Sequence, residues 1–349
     1  MGNIQQDQAE AHASLGMCLH ELHCYETVYA DCRDALHQWH AALLHLVHPS
    51  AQTPVALPTL SSPVPFPLWQ GEDLTGKSLL IFSEHGFGDQ IQFCRYVTRL
   101  LAAGIRWCTV VCDPPLVALL ASLAGVDQVL VKGQDCPPHD FWLFYLSVPL
   151  HLATTPATIP DQIPYLHAPA DRLARWEGLM PKQGFRVGLV WHGNPQHTND
   201  ANRSLPGLTV LAPLWSVPGV AFVSLQKGAG EKEASQPPPG QPILHWGDWI
   251  QDFADTAAIV THLDLVISVD SAVAHLAGAL GKPCWVMLPA VGTDWRWLHG
   301  RTDSPWYPGV LRLFHQEQPG EWSTVVQQIR EALVHRVCAN APMAGPVES

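Results

Sequence analysis

Hydrophobic positions along the chain follow two rhythms. Over residues 1–48 they recur at helical spacing, and Leu15, Gly16, Leu19, Leu22, Tyr25 and Ala35 fall near the small and large positions of a tetratricopeptide repeat, with His40 where its proline would stand. One such unit cannot bury its own face, so the segment reads as a helical cap or the stump of a longer array. Six prolines from Pro49 to Pro67 then mark a linker, residues 49–67. From residue 68 the rhythm becomes short apolar runs separated by amphipathic stretches. Strands are expected at 78–82, 107–112, 126–131 and 141–146, with helices at 90–102 and 115–123. Residues 150–183 carry five prolines and one amphipathic helix at 171–180, and they separate this series from a second. There, strands are expected at 185–191, 220–225, 243–246, 263–269, 283–288 and 310–314, with helices at 253–262, 272–280 and 322–337. Strands alternating with helices at this spacing form parallel sheets. The chain is therefore expected to be α/β, with one sheet in 68–170, another in 184–337, and a disordered tail at 338–349.

Open parallel sheets bind ligands beyond the carboxyl ends of their strands. The stretch LDLVISVDSAVAHLAGALGKP at 263–283 is such a strand feeding a helix that stops at Gly281 and Pro283. Asp270, Ser271 and His275 sit at that edge. The free amides of Ser271, Ala272 and Val273 would suit an anion, although a plain helix cap and a half-buried histidine account for the same residues. In the first series Glu84-His-Gly-Phe-Gly-Asp-Gln follows the first strand. Gly86 and Gly88 allow a tight turn or a close backbone approach. Asp89 is either a helix cap or a carboxylate able to take a proton from a bound hydroxyl. The spacing fails the dinucleotide GxGxxG pattern, and no GK[ST] completes a P-loop. In the second series Gly193 and Asn194 suit a turn after Trp191, and Arg203 is the natural clamp for a diphosphate. Lys227, in Gln226-Lys-Gly, falls at the same edge. Asp294-Trp-Arg-Trp-Leu, with Trp306-Tyr307, adds ring faces and a cation, so Trp191, Trp295 and Trp297 are candidates for stacking on a sugar or base.

Composition narrows the picture. The chain is 47% hydrophobic and 14% charged, ample for a sizeable core, and its fourteen tryptophans are unusual, because amphipathic ring faces suit sugars and bases as well as cores. A net charge of −12 argues against nucleic acid or an anionic membrane as the main partner, while leaving room for a local basic pocket. Nine scattered cysteines form no CxxC pair, so reduced thiols in a cytoplasmic protein are the expectation. The first residues lack the features of a signal peptide, and no apolar run reaches membrane-span length. Peripheral membrane association stays open.

Seven phrases in order carry a resemblance: WQGE at 69–72, EHGFGDQIQFCRYV at 84–97, RVGLVWHGNPQHTND at 186–200, Arg203-Ser204, SLQKG at 224–228, DLVISVDSAVAHLAGALGKP at 264–283, and DWRWL with DSPWYP at 294–308. Together they resemble glycosyltransferase family 9, the ADP-heptose:lipopolysaccharide heptosyltransferases, and within it the bacterial branch linked to tetratricopeptide repeats. The resemblance implies a GT-B fold, two Rossmann-like domains facing across a cleft. It implies an inverting, metal-independent transfer from a nucleotide-diphosphate sugar, ADP-heptose-like or a UDP-sugar, to a hydroxyl of a glycan, lipopolysaccharide or protein. Asp89 matches the family's general base, with Glu84, Gly86, Gly88 and Gln92 in the acceptor loop. Asp270, Ser271 and His275 match donor-holding groups, and Arg203 the phosphate-binding basic residue, with Gly193, Asn194, Gln226, Lys227 and Ala272 alongside. The absence of an Asp-x-Asp motif agrees with a metal-free reaction. Ser271-Ala272 stands where the heptosyltransferases carry Thr-Gly, so the resemblance does not name the sugar. A GT-B nucleotide-sugar epimerase and a non-catalytic binding module are the alternatives.

Overall fold

The computed structural model describes residues 64–298 and 300–340. The repeat-like segment at 1–48, the linker up to residue 63 and the tail from 341 lie outside the described residues. Two parallel sheets are present. The first holds β1 (Ser78–Phe82), β2 (Trp107–Cys112), β3 (Gln128–Val131) and β4 (Phe141–Phe144) in the order β3-β2-β1-β4. The second holds β5 (Phe185–Val190), β6 (Val220–Ser224), β7 (Leu265–Val269), β8 (Cys284–Leu288) and β9 (Leu311–His315) in the order β6-β5-β7-β8-β9. All five residues of β7 and of β8 are buried, as expected for central strands covered on both faces. Chain order reverses between β1 and β4, and again between β5 and β7. Those two switch points are where each sheet opens a crevice.

The helices that position the crevices are α1 (Phe87–Phe93), α2 (Val97–Ala102), α3 (Val117–Leu120), α4 (Ala170–Glu177), α5 (Phe253–Thr261), α6 (Ala272–Ala279) and α7 (Ser323–Asn340). Three differ from expectation in an informative way. The single helix expected at 90–102 begins earlier, at Phe87, because the Asp89 carboxylate accepts the Gly86 N–H at 3.0 Å and caps the turn. It is also interrupted by a 3-10 turn at Cys94–Tyr96, where the Arg95 side chain folds back so that Nε donates to Gln92 O at 2.9 Å. The last helix runs to Asn340, three residues into the expected tail. The short strand expected at 243–246 reduces to one bridge, Leu244 with Val223, between Pro242 and a 3-10 turn at Gly247–Trp249.

The halves share an interface built on Arg95, which is 1% exposed. Its guanidinium donates to Tyr165 Oη at 2.9 Å, to Pro160 O at 3.2 Å and to Trp306 O, and it lies 4.5 Å from the Tyr307 ring centroid. Thus a residue of the first sheet's helix is held by the connecting segment and by the second half at once. The connector follows the second half: Tyr165 N and Leu166 N both donate to Ala279 O at the end of α6, and Trp176 of α4 donates to Asp255 of α5 at 2.9 Å. Removing the Arg95 guanidinium takes its donors from three carbonyls and a phenol and opens a void. Arg95→Ala should therefore cost about 3 kcal/mol or more in urea denaturation, and Arg95→Lys should recover only a minor part. A loss near zero would contradict this role.

Candidate active site

The interface brings the two crevices face to face. α1 packs directly on α6, and a Cβ at Gly88 would come within 2.9 Å of His275 Cδ2 and 3.5 Å of Ala272 Cα. Gly88 is thus a close-approach glycine between halves rather than a turn residue. Gly278 does the same for the Tyr307 ring, which a Cβ there would meet at 2.3 Å. With that ring seated against α6, Tyr307 Oη lies 3.0 Å from His275 Nδ1, and Trp297 stacks on the histidine at 5.1 Å. Burial, then the nearby Arg296 and Arg95, hold the imidazole well below its ordinary range, so His275 is neutral at physiological pH.

On the first half's side, Asp89 keeps one carboxylate oxygen on Gly86 N and the other on Arg296 Nη2. Arg296 comes from the 3-10 turn Trp295–Trp297, and Asp294 grips it bidentately at 3.0 and 2.9 Å. This cross-cleft ion pair joins the base expected from the sequence to a cation noted there without a role. Glu84 ties the end of β1 to the segment after β4 by accepting from Leu146 N at 3.3 Å, and burial raises its carboxyl. Gln92 is buried in α1 with neither amide atom hydrogen-bonded.

On the second half's side, Arg203 is held beside Gly193 and Asp200: its Nε lies 3.4 Å from Asp200 Oδ1, and a Cβ at Gly193 would meet Nη2 at 2.8 Å. Gly193 N donates to Ser204 Oγ at 2.8 Å, which closes this loop. Asp270 and Ser271 follow β7. Ser271 turns its hydroxyl to Ser268 Oγ at 2.9 Å and makes no side-chain cap, so it leaves the first amides of α6 to the crevice. Burial pushes the Asp270 carboxyl up to about 6, with Asp294 adding to the rise and Arg203 and Arg296 opposing it.

Other expected site residues have structural tasks. Gln226 Oε1 accepts from Trp191 N and His192 N, each at 3.0 Å, and locks the ends of β5 and β6 together. Asn194 uses its Oδ1 on Gln196 N within the turn. Lys227 is engaged by Glu231 at 2.8 Å and by Gly247 O. Trp191 and Trp297 are fully buried and offer no free face, which leaves Trp295, 46% exposed, as the ring available for stacking. Asp200, Asp294, Arg296 and Tyr307 are the contributors that sequence reasoning did not assign. For Asp294, Arg296 and Tyr307 the signal lies in the 294–307 segment, where the rings and the cation were noted without a role; Asp200 sits in the segment before Arg203. Among the described residues no three His, Cys, Asp or Glu side chains gather as a metal site requires, and no helix is long and apolar enough to cross a membrane.

No family model matches the chain. Among solved structures, ADP-heptose lipopolysaccharide heptosyltransferase II of Escherichia coli superposes with a TM-score of 0.54 at 10% identity, covering 75% of this chain and 99% of that one. A family 9 glycosyltransferase from Veillonella parvula gives 0.55 at 11%, covering 77% and 99%. The fold is GT-B. By sequence the chain is similar to protein FlbA of Caulobacter vibrioides, 27% identical over 293 residues, or 77% of this chain and 48% of FlbA. The chain thus spans about half the length of that curated relative.

In this GT-B cleft the Asp270 carboxyl gives a test with a definite sign. It is protonated in folded and unfolded chains below 3.8, its unfolded value, and charged in both above about 6. Its burial therefore costs nothing in the first range and its full amount in the second. Asp270→Asn should match the parent near pH 4 and exceed it at pH 7.5 by on the order of 2–3 kcal/mol. Denaturation across that range checks this, and a variant less stable at pH 7.5 would contradict it.

Proposed function

We propose that the chain is an inverting, metal-independent glycosyltransferase of the family 9 type. It takes a sugar from a nucleotide-diphosphate donor, ADP-heptose-like or a UDP-sugar, to a hydroxyl of a glycan, a lipopolysaccharide or a protein. The observation that carries this is the convergence, in a GT-B cleft, of Asp89 from one sheet's mouth with Arg203, Asp270 and the uncapped amides of α6 from the other's. The heptosyltransferase and family 9 names of the two structural neighbours, and the seven sequence phrases, favour the same reading. The donor diphosphate rests on the α6 amides with Arg203, and Asp270 holds the sugar hydroxyls. Asp89 takes the proton of the acceptor hydroxyl as its oxygen bonds to the sugar's anomeric carbon. The bond from that carbon to the diphosphate breaks, and its electron pair leaves with the phosphate. Attack from the face opposite the leaving group inverts the anomeric centre. Stabilisation of the departing charge by fixed dipoles and guanidinium is the dominant catalytic effect expected.

Incubation with ADP-, UDP- and GDP-sugars and candidate acceptors should yield a product of inverted configuration, read by NMR. Asp89→Asn should lower the transfer rate about 100-fold or more while nucleotide binding is retained. Transfer unchanged in the variant would overturn the assignment of the base. A sugar epimer formed without acceptor would instead indicate a GT-B epimerase.

A further inference from the structure

The crevice contains a conflict of charge. A donor diphosphate needs cations, yet each basic side chain brought to this edge already holds a carboxylate: Arg203 with Asp200, Lys227 with Glu231, and Arg296 with both Asp294 and Asp89. Arg203 packs against Gly193, and Lys227 is engaged by Glu231 and Gly247 O. Arg296 differs from both. Its two partners come from opposite halves, its side chain is 12% exposed, and its buried Nε has no hydrogen-bond partner. It also stands within electrostatic range of Asp270 and His275, at the start of α6. Nη1 is spent on Asp294 and Nη2 on Asp89.

The backbone around the pair is held in an unusual state. Among the described residues, three that are not glycine have positive φ: His85 at 58°, Ala153 at 47° and Leu298 at 57°. His85 precedes the Asp89 loop, and Leu298 follows the Arg296 turn. Ala153 adjoins Thr154, which lines a small groove with Trp295, Leu298 and Trp306. Conformations of this kind cost energy and concentrate where a segment has two working positions.

We propose that Arg296 is a ligand shared in turn by Asp89 and by the donor's diphosphate. In this structure its Nη2 holds the Asp89 carboxylate. When a sugar nucleotide enters, the guanidinium turns to the diphosphate, keeps Asp294 as its anchor, and frees Asp89 to accept the acceptor's proton. The base then becomes available only once the donor is in place, which enforces donor-first order. This inference rests on the reading of the cleft as a sugar-nucleotide site.

Competition for one cation makes a testable thermodynamic cycle. Binding of ADP, UDP and GDP is measured by calorimetry on the parent, Asp89→Asn, Arg296→Gln and the double variant, with circular dichroism confirming the fold of each. With Arg296 released from Asp89 and anchored by Asp294 alone, Asp89→Asn should bind the preferred nucleotide about five- to tenfold more tightly. Arg296→Gln should bind it about tenfold more weakly or worse, and Arg296→Lys should fall between because it keeps charge without the fork. In the Arg296→Gln background the Asp89→Asn change should alter affinity by less than about twofold. Unchanged or weaker binding by Asp89→Asn overturns the sharing, as does tightening that persists without Arg296. If Arg296→Gln does not fold, Arg296→Lys carries the cycle, and the Asp89→Asn gain must shrink in its background. If the parent binds none of the three nucleotides, the functional reading itself fails, and this inference with it.

Discussion

A buried guanidinium with no carboxylate partner is the constraint on which the rest depends. Arg95 leaves the helix of one sheet and is satisfied by carbonyls, a phenol and aromatic faces drawn from the connector and the other sheet. A cation taken out of water must find such partners or the structure opens. Satisfying it fixes the two halves at one separation. Gly88 then has to be glycine, since His275 lies where its side chain would be, and Tyr307 is drawn against Gly278, where its hydroxyl meets the same histidine. The cleft is therefore shaped by packing between the halves.

Charge is arranged in the cleft so that little of it is free. His275 is neutral, Asp270 titrates near 6, and the cations sit on carboxylates. Such a site does not attract a diphosphate by bare positive potential. Under the proposed function it would recognise one by exchange, with helix amides and a guanidinium replacing internal partners. Exchange favours specificity over raw affinity, because an anion that cannot reach both halves gains too little to displace a carboxylate that does.

Much of this was legible in the chain. Apolar runs marked all nine strands within two residues at either end and added one at 243–246 that forms only a bridge, because a strand buried on both faces has to be apolar throughout, and the loops after β1, β5 and β7 carried the polar residues that form the site. Residues that act through tertiary contact were hidden. Arg95 sits in QFCRYV, where an arginine among apolar neighbours hints at a buried charge, yet nothing local says what receives it. Trp191 and Trp297 looked like stacking surfaces because tryptophan suits both sugars and cores, and only burial separates the two uses. Lys227 falls at the right strand end, but Glu231 four residues on captures it, a pairing visible in the sequence once a helical turn is assumed.

Under the proposed function one cleft holds the donor between the α6 amides and the first turn of α1, where Asp89 stands. The most direct measurement is a crystal structure of Asp89→Asn with an intact nucleotide sugar. It should place the diphosphate against Ala272 and Arg203, the anomeric carbon toward residue 89, and Arg95 still buried between the halves. A nucleotide seated outside this cleft, or halves parted with Arg95 in solvent, would contradict it.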